Sequence, residues 1–282
     1  MSNLAVRFLT ALIGAPIILG IIYLGPDLAW FSLCAAAMAV ATWEFLTLTH
    51  PDDRTGRVLG TGLTLAVFAL LVGTRFGAVH GSLLGLGLAA LAPVVMLAAL
   101  ARPTQIPAAL HRSAALVMAP LYLGAPMAAL ALVRTFGTPF QGGGLCVLTM
   151  MFSWFGDTGG YFAGKGIGGP KLYAAVSPNK TWAGAIGGLG GSVLGSVLAH
   201  ATFLPALGLG QGVALAAVAG AFGQAGDLCE SILKRSAGVK DSGALLPGHG
   251  GILDRIDALI FCALAMFAAL QSGWLQGFAA RL

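Results

Sequence analysis

Charge is what this sequence has least of. Only 9% of its 282 residues are Asp, Glu, Lys or Arg, against about 25% in an ordinary soluble domain. A chain so poor in charge cannot wrap an apolar core in a hydrated shell, which excludes a water-soluble globule and leaves lipid as the solvent for most of its surface. Cysteine is scarce as well. Cys34, Cys146, Cys229 and Cys262 each stand alone in an apolar stretch, which excludes a zinc site of paired spacing or a disulfide scaffold and reads as buried, inert thiols. Long basic runs are also missing. The net charge of +5 and the pI near 9.3 come from residues scattered over short loops, so the excess points to a membrane surface and an anionic substrate rather than to nucleic acid. No internal repeat and no soluble domain is visible. Residues 1–282 read as one membrane domain, with N-terminal transmembrane helices in 1–140 and the polar motifs in 141–282.

What is present is apolar sequence, 57% of the chain. Nine stretches, near 8–24, 28–48, 58–73, 82–100, 113–133, 144–164, 182–204, 212–232 and 252–273, are long and apolar enough for helices that cross about 30 Å of hydrocarbon. The first follows Arg7 and lacks a small-x-small cleavage site, so it is kept as a helix rather than a signal peptide. The third is short and the sixth ends in a glycine-rich run, so a tilt, a break or partial re-entry is expected at either. The fold expected is all-α, a polytopic transmembrane protein of about nine helices. With nine crossings, Arg7, Arg54, Arg57, Arg102, Arg112, Lys165, Lys171, Lys180, Lys234, Arg235, Lys240 and Arg255 fall on one side and Arg75, Arg134 and Arg281 on the other. Twelve against three puts the N-terminus in the cytoplasm and the C-terminus outside; a bacterial inner membrane is the expected location. The glycine pairs Gly159-Gly160, Gly187-Gly188 and Gly190-Gly191 read as close-packing devices between helices.

Acidic residues are costly inside a bilayer, so where they are kept is informative. Five of the ten, Asp227, Glu230, Asp241, Asp254 and Asp257, fall within 31 residues, together with Lys234, Arg235, Lys240, His249 and Arg255. Asp227, Glu230, Ser231 and Lys234 are spaced i, i+3, i+4, i+7 and share one helical face; Asp254 and Asp257 repeat the i, i+3 spacing on the next, antiparallel helix. Two carboxylate faces meeting near the cytoplasmic surface would repel unless a cation lies between them, and all-oxygen ligands suit Mg²⁺. A salt-bridge network with Lys234, Arg235 and Arg255 is the competing reading. Pro247-Gly248-His249-Gly250-Gly251 precedes a helix start and suits an anion, with His249 as donor, proton carrier or simple structural residue. Lys240 and Asp241 belong to the connecting loop. A second polar block holds Asp157-Thr158-Gly159-Gly160-Tyr161, Lys165, Lys171 and Ser177-Pro178-Asn179-Lys180-Thr181-Trp182, and all five lysines lie between 165 and 240. Ser177 and Thr181 either cap a helix or meet phosphate. Glu44, near the end of the second stretch, lies outside these blocks, and its substitution is expected to be milder.

The run from Ser231 through Lys234-Arg235, Lys240-Asp241, Pro247-Gly-His249-Gly-Gly and Asp254-Arg255-Ile-Asp257 resembles the signature of the phosphatidate cytidylyltransferase (CDP-diacylglycerol synthase) family over 27 residues. Ser177-Pro-Asn-Lys180-Thr-Trp and Asp157-Thr-Gly-Gly-Tyr resemble it too, while Ala183 departs from the Glu or Gln that relatives often carry there. The resemblance implies that CTP and phosphatidic acid react to CDP-diacylglycerol and pyrophosphate, with Mg²⁺ required and a second cation compatible with two-metal chemistry. On that reading Asp227, Asp254 and Asp257 are metal ligands and, with Lys234, the catalytic group. Asp157, Ser177, Asn179, Lys180, Thr181, Ser231, Arg235, Lys240, Asp241, His249 and Arg255 would bind substrate. The partners expected are CTP, phosphatidic acid and the lipid bilayer, with a homodimer left open and no nucleic acid. The alternatives are a CTP-dependent transferase or kinase acting on another lipid, and an anion transporter. Cysteines engineered near Arg54, Lys171 and Lys240 are expected to label from the cytoplasmic side. Labelling near Lys171 from outside only would overturn the topology.

Overall fold

A computed structural model describes residues 3–243, 245, 250–279 and 281, with backbone alone for 3–11 and 103–105. His249 and its neighbours Pro247 and Gly248 lie outside the described residues. Helices occupy all nine apolar stretches: α1 (Asn3–Leu24), α2 (Asp27–Thr49), α3 (Arg54–Arg75), α4 (Gly81–Leu100), a rod formed by α5 (Ala109–Ala119) and α6 (Ala125–Val133), α7 (Pro139–Gly166), α8 (Trp182–Thr202), α9 (Leu209–Ser236) and α10 (Leu253–Gln271). Six of these rods, α2, α3, α4, the α5–α6 rod, α8 and α9, are long and apolar enough by length and composition to cross a membrane. The chain is thus an integral membrane protein. α10 departs from that profile for a chemical reason, since its first turns carry Asp254, Arg255 and Asp257.

Helix starts follow from local chemistry. Asp53 accepts the Gly56 N–H at 2.8 Å and caps α3. Thr138 and Gln141 close a capping box around Pro139 at the head of α7. Thr181 accepts the Gly184 N–H at 3.1 Å at the head of α8. α10 has no side-chain cap from its own N-cap residue, Ile252.

The irregularities fall elsewhere than the sequence suggests. α3 runs 22 residues without shortening, and α7 runs 28 residues straight through Gly159-Gly160. The break comes at Pro120, which lacks an N–H, and the backbone answers with a π turn over Pro120–Gly124 that joins α5 to α6. The all-α expectation also needs one correction. Between Gly168-Gly169, both at positive φ, and Trp182 the chain forms an antiparallel hairpin, β1 (Lys171–Tyr173) against β2 (Ser177–Thr181). This segment is too polar and too short for another helix, and the left-handed glycines turn it back across the helix ends.

Opposite ends of the bundle hold different charges. At one end Arg134 pairs with Asp27 and donates to the Ile22 and Gly25 carbonyls; Arg75 reaches Thr135, and Arg281 donates to the Arg134 carbonyl. At the other end Asp53 pairs with Arg102 and Arg112, and the C-terminal part of α2 meets the start of α10. The residues predicted for the sparse side therefore gather at one end. α7 and α8 pack by bare backbone: a Cβ on Gly187 would lie 2.8 Å from the Gly159 carbonyl oxygen, and one on Gly191 2.8 Å from the Phe155 carbonyl carbon. A Cβ on Gly190 meets nothing within 4 Å. Gly191→Leu is expected to lower both thermal stability and activity by prising α7 from α8, whereas Gly190→Leu leaves both unchanged. Equal thermal midpoints for the two variants in detergent would count against this packing.

Candidate active site

The polar face of α9 is turned inward. Glu230 is fully buried and Ser231 nearly so. Lys234, one turn on, forms an ion pair back to Glu230 and another across to Asp254 on α10, with its Nζ 2.7 Å from Asp254 Oδ1. One ammonium thus ties two helices by bridging two carboxylates. The second oxygen of Asp254, Oδ2, accepts from the Ser242 N–H at 3.0 Å, the Ser242 hydroxyl at 2.9 Å and the Gly251 N–H at 2.9 Å. Gly250, at φ +79°, permits the turn that aims the Gly251 amide. Asp254 is therefore held from both sides, as a buried charge at a helix end must be if its desolvation is to be offset.

A second group lies alongside. Lys180, on β2, places its Nζ 2.5 Å from Asp227 Oδ2 on α9. Asp157 on α7 and Asp257 on α10 are both near enough to Asp227 to interact with it electrostatically, and Asp157 also feels Lys180 and Arg255. A cavity of about 530 Å³ opens over this group, lined by Asp157, Tyr161, Lys165, Asn179, Lys180 and Asp227. Its floor is the glycine contact of α7 and α8, where Gly160, Gly164, Gly184 and Gly188 leave room that side chains would fill. Lys165 lies 5.6 Å from the Tyr161 ring centroid at the rim. Flexible ammonium groups, an amide and backbone-lined space suit a phosphate-bearing ligand.

The structure brings together Asp157, Asn179, Lys180, Asp227, Ser231, Lys234, Asp254, Asp257 and Arg255 from the sequence-derived set. It places others differently. Arg235 is exposed and donates to the Val239 carbonyl, and Lys240 and Asp241 stand exposed on the α9–α10 loop. Ser177 pairs with Tyr173 in the hairpin, whereas Thr181 lines the cavity and also caps α8. Sequence reasoning left Glu230 without a role, and missed Ser242 and Gln224, whose Nε2 donates to the Ala185 carbonyl at 3.0 Å beside the cavity. The salt-bridge reading is realised through Lys234 and Lys180 rather than through the arginines. For a cation, the donor chemistry fits: Asp157, Asp227 and Asp257 are three carboxylates within electrostatic reach of one another, and hard oxygen ligands suit Mg²⁺. Among the described residues, however, no three Asp, Glu, His or Cys side chains converge closely enough to hold one.

A bundle of membrane-length helices with a charged, phosphate-suited cavity at one end defines a membrane-embedded enzyme. Comparison with known proteins is more specific. The Cytidylyltransferase family model matches residues 5–272, and the chain belongs to that family. It is 36% identical over 272 residues to the phosphatidate cytidylyltransferase of Brucella suis, covering 95% of this chain and 93% of that one. It is 35% identical over 280 residues to the phosphatidate cytidylyltransferase of Pseudomonas aeruginosa, covering 95% and 97%. A further phosphatidate cytidylyltransferase, from Staphylococcus aureus, is 49% identical over 110 residues, which is 38% of this chain and 42% of that one.

The two lysines are expected to separate in a stability measurement. Lys234 is enclosed between Glu230 and Asp254, so Lys234→Ala strands two buried carboxylates, a loss of about 3–5 kcal/mol for a broken buried pair. Lys180 stands at the cavity rim and is more exposed. Its Ala variant should melt within a few degrees of the parent protein, and comparable losses for the two would contradict the burial argument.

Proposed function

We propose that this nucleotidyltransferase converts CTP and phosphatidic acid to CDP-diacylglycerol and pyrophosphate. Family membership over 5–272 supports the reaction class. The observation that carries the substrate reading is the cavity of about 530 Å³ lined by the paired Lys180 and Asp227, with Lys234 paired to Asp254 two turns further along α9.

The chemistry needs little from a general base. The second ionisation of a phosphate monoester lies near 6, so the lipid phosphate is already largely anionic at neutral pH. One of its oxygens attacks the α-phosphorus of CTP; a P–O bond forms there, and the bond from the α-phosphorus to the oxygen bridging the β-phosphorus breaks. Pyrophosphate leaves with that electron pair. Positioning and charge neutralisation dominate such a step. Lys180 and Lys234 are pre-aimed by their carboxylate partners and would meet triphosphate and lipid phosphate oxygens, with Asn179 on the cavity wall and Arg255 in the first turn of α10. Arg235, Lys240 and His249 remain candidates for reaching the outer phosphates. Asp227 and Asp257, with Asp254 as third ligand once Lys234 turns to substrate, would hold Mg²⁺, and a second cation fits the same chemistry. When bound, the cation neutralises phosphate charge and aligns the reacting oxygens.

The same proposal extends to the membrane. Nine crossings with the N-terminus in the cytoplasm put the site at the cytoplasmic face of a bacterial inner membrane, where CTP is available. The nine helical rods and the gathering of Arg75, Arg134 and Arg281 at the far end support it. Purified protein incubated with labelled CTP, Mg²⁺ and phosphatidic acid is expected to form lipid-linked CMP, and Asp227→Asn and Asp254→Asn are expected to abolish it while remaining folded. Lys180→Ala should lower turnover about 100-fold, the loss typical of one pre-organised charge donor. Lys180→Arg should rescue poorly, because a planar guanidinium does not replace a compact ammonium. Full turnover from Lys180→Arg, or from Asp254→Asn across a Mg²⁺ titration, would sink the assignment.

A further inference from the structure

Glu44 is an acid in the apolar run Trp43-Glu44-Phe45 of α2, only 7% exposed, about 200 residues away in sequence from the charged cluster. Its carboxyl group reaches across to the start of α10. Oε1 accepts the Ile252 N–H at 3.1 Å and Oε2 the Leu253 N–H at 2.8 Å. These are two of the N–H groups that a helix start leaves without an intrahelical partner, and α10 has no cap of its own. Helix caps normally come from the residue just ahead of the helix; here the cap comes from another helix altogether.

The same carboxyl group also touches the other limb of the loop between α9 and α10. Ser242 Oγ lies 3.4 Å from Glu44 Oε2 and 2.9 Å from Asp254 Oδ2. Two glycines make room for this: a Cβ on Gly243 or on Gly251 would fall 2.8 Å from Glu44 Cδ. Gly251 and Ser242 supply the three donors that hold Asp254 Oδ2. Glu44 therefore grips the backbone on both sides of the groups that orient Asp254. Removing one oxygen acceptor leaves a buried N–H unpaired and frees the loop that aims the carboxylate.

We infer that Glu44 is a positioning residue for the reaction: it sets Asp254 through the α10 amides and Ser242, and so couples the N-terminal helices to the catalytic cluster. This reverses the weight that the sequence alone assigns to Glu44, and it rests on the reading of Asp254 as part of the reaction centre.

The test compares Glu44→Gln, Ser242→Ala and their double variant with the unaltered full-length protein in detergent micelles containing phosphatidic acid, scored as lipid-linked CMP formed. Each single variant is expected to lose about 10- to 100-fold in turnover, the usual cost of releasing a group that orients a ligating or reacting carboxylate. The KM for CTP should stay within about threefold, because the lost contacts do not touch the nucleotide. Since both changes act through Asp254, the double variant should be scarcely slower than the slower single one. A simple helix cap would instead lower the melting temperature while leaving turnover at low temperature intact. Turnover of Glu44→Gln within about twofold of the parent, or losses that multiply in the double variant, would overturn the inference. If Glu44→Gln does not fold, Ser242→Ala decides alone, and parental turnover from it overturns the proposal. Asp254→Asn assayed in parallel separates the two levels. Its inactivity beside a normal Glu44→Gln rejects the positioning role only, and activity in Asp254→Asn removes the reaction-centre reading together with the inference built on it.

Discussion

Lys234 stands between Glu230 and Asp254 in the space where α9 and α10 converge, and two carboxylates sharing one ammonium group impose strict terms on their surroundings. In so dry a place, breaking such a pair costs several kcal/mol, and donors to its remaining oxygens offset part of the desolvation. The Ser242 and Gly251 groups meet that requirement for Asp254. The loop from α9 to α10 must consequently fold back on the carboxylate, and α10 must begin where it does. The charges that make the site chemically useful are also what fixes the local backbone.

The neighbouring group around Asp227 is assembled by a different force. Lys180 sits on a hairpin, Asp157 on α7 and Asp227 on α9, and nothing in their own chemistry brings them together. They meet because α7 and α8 approach at glycine-to-glycine distance, through Gly159, Gly187 and Gly191, which draws the hairpin between these two helices over α9. Within lipid there is little hydrophobic drive for helices to associate, so close backbone packing carries that burden. The same α7–α8 contact thus serves twice, as the seam of the bundle through these glycines and as the floor of the cavity through Gly160, Gly164, Gly184 and Gly188.

Much of the candidate site was legible because charges in an apolar chain are conspicuous. Asp227, Lys234, Asp254 and Asp257 stood out by helical spacing alone, and Lys180 by its place in a lysine-rich block. Residues with ordinary surroundings were not legible: Ser242 is one serine in a loop, and Gln224 one amide in the middle of a helix. Glu44 was conspicuous as an acid among apolar residues, yet distance along the chain hid its purpose. Arg235, Lys240 and Asp241 were equally conspicuous, but their exposure at the end of α9 and on the loop after it was not legible, since residue type does not say whether a charge is buried or exposed.

The sequence by itself determined that this chain lives in lipid, where its helices run and which short runs of residues carry charge, because hydrophobicity and helical periodicity are local properties. The family too is written in local motifs. Only the tertiary structure decided which charges pair with which, that polar residues 171–181 form a hairpin, that the helical break falls at Pro120, and that the cap of α10 is supplied from α2. Those outcomes depend on which helix ends arrive at the same place, and a buried N–H or carboxylate takes whatever partner packing delivers, however far away that partner lies along the chain.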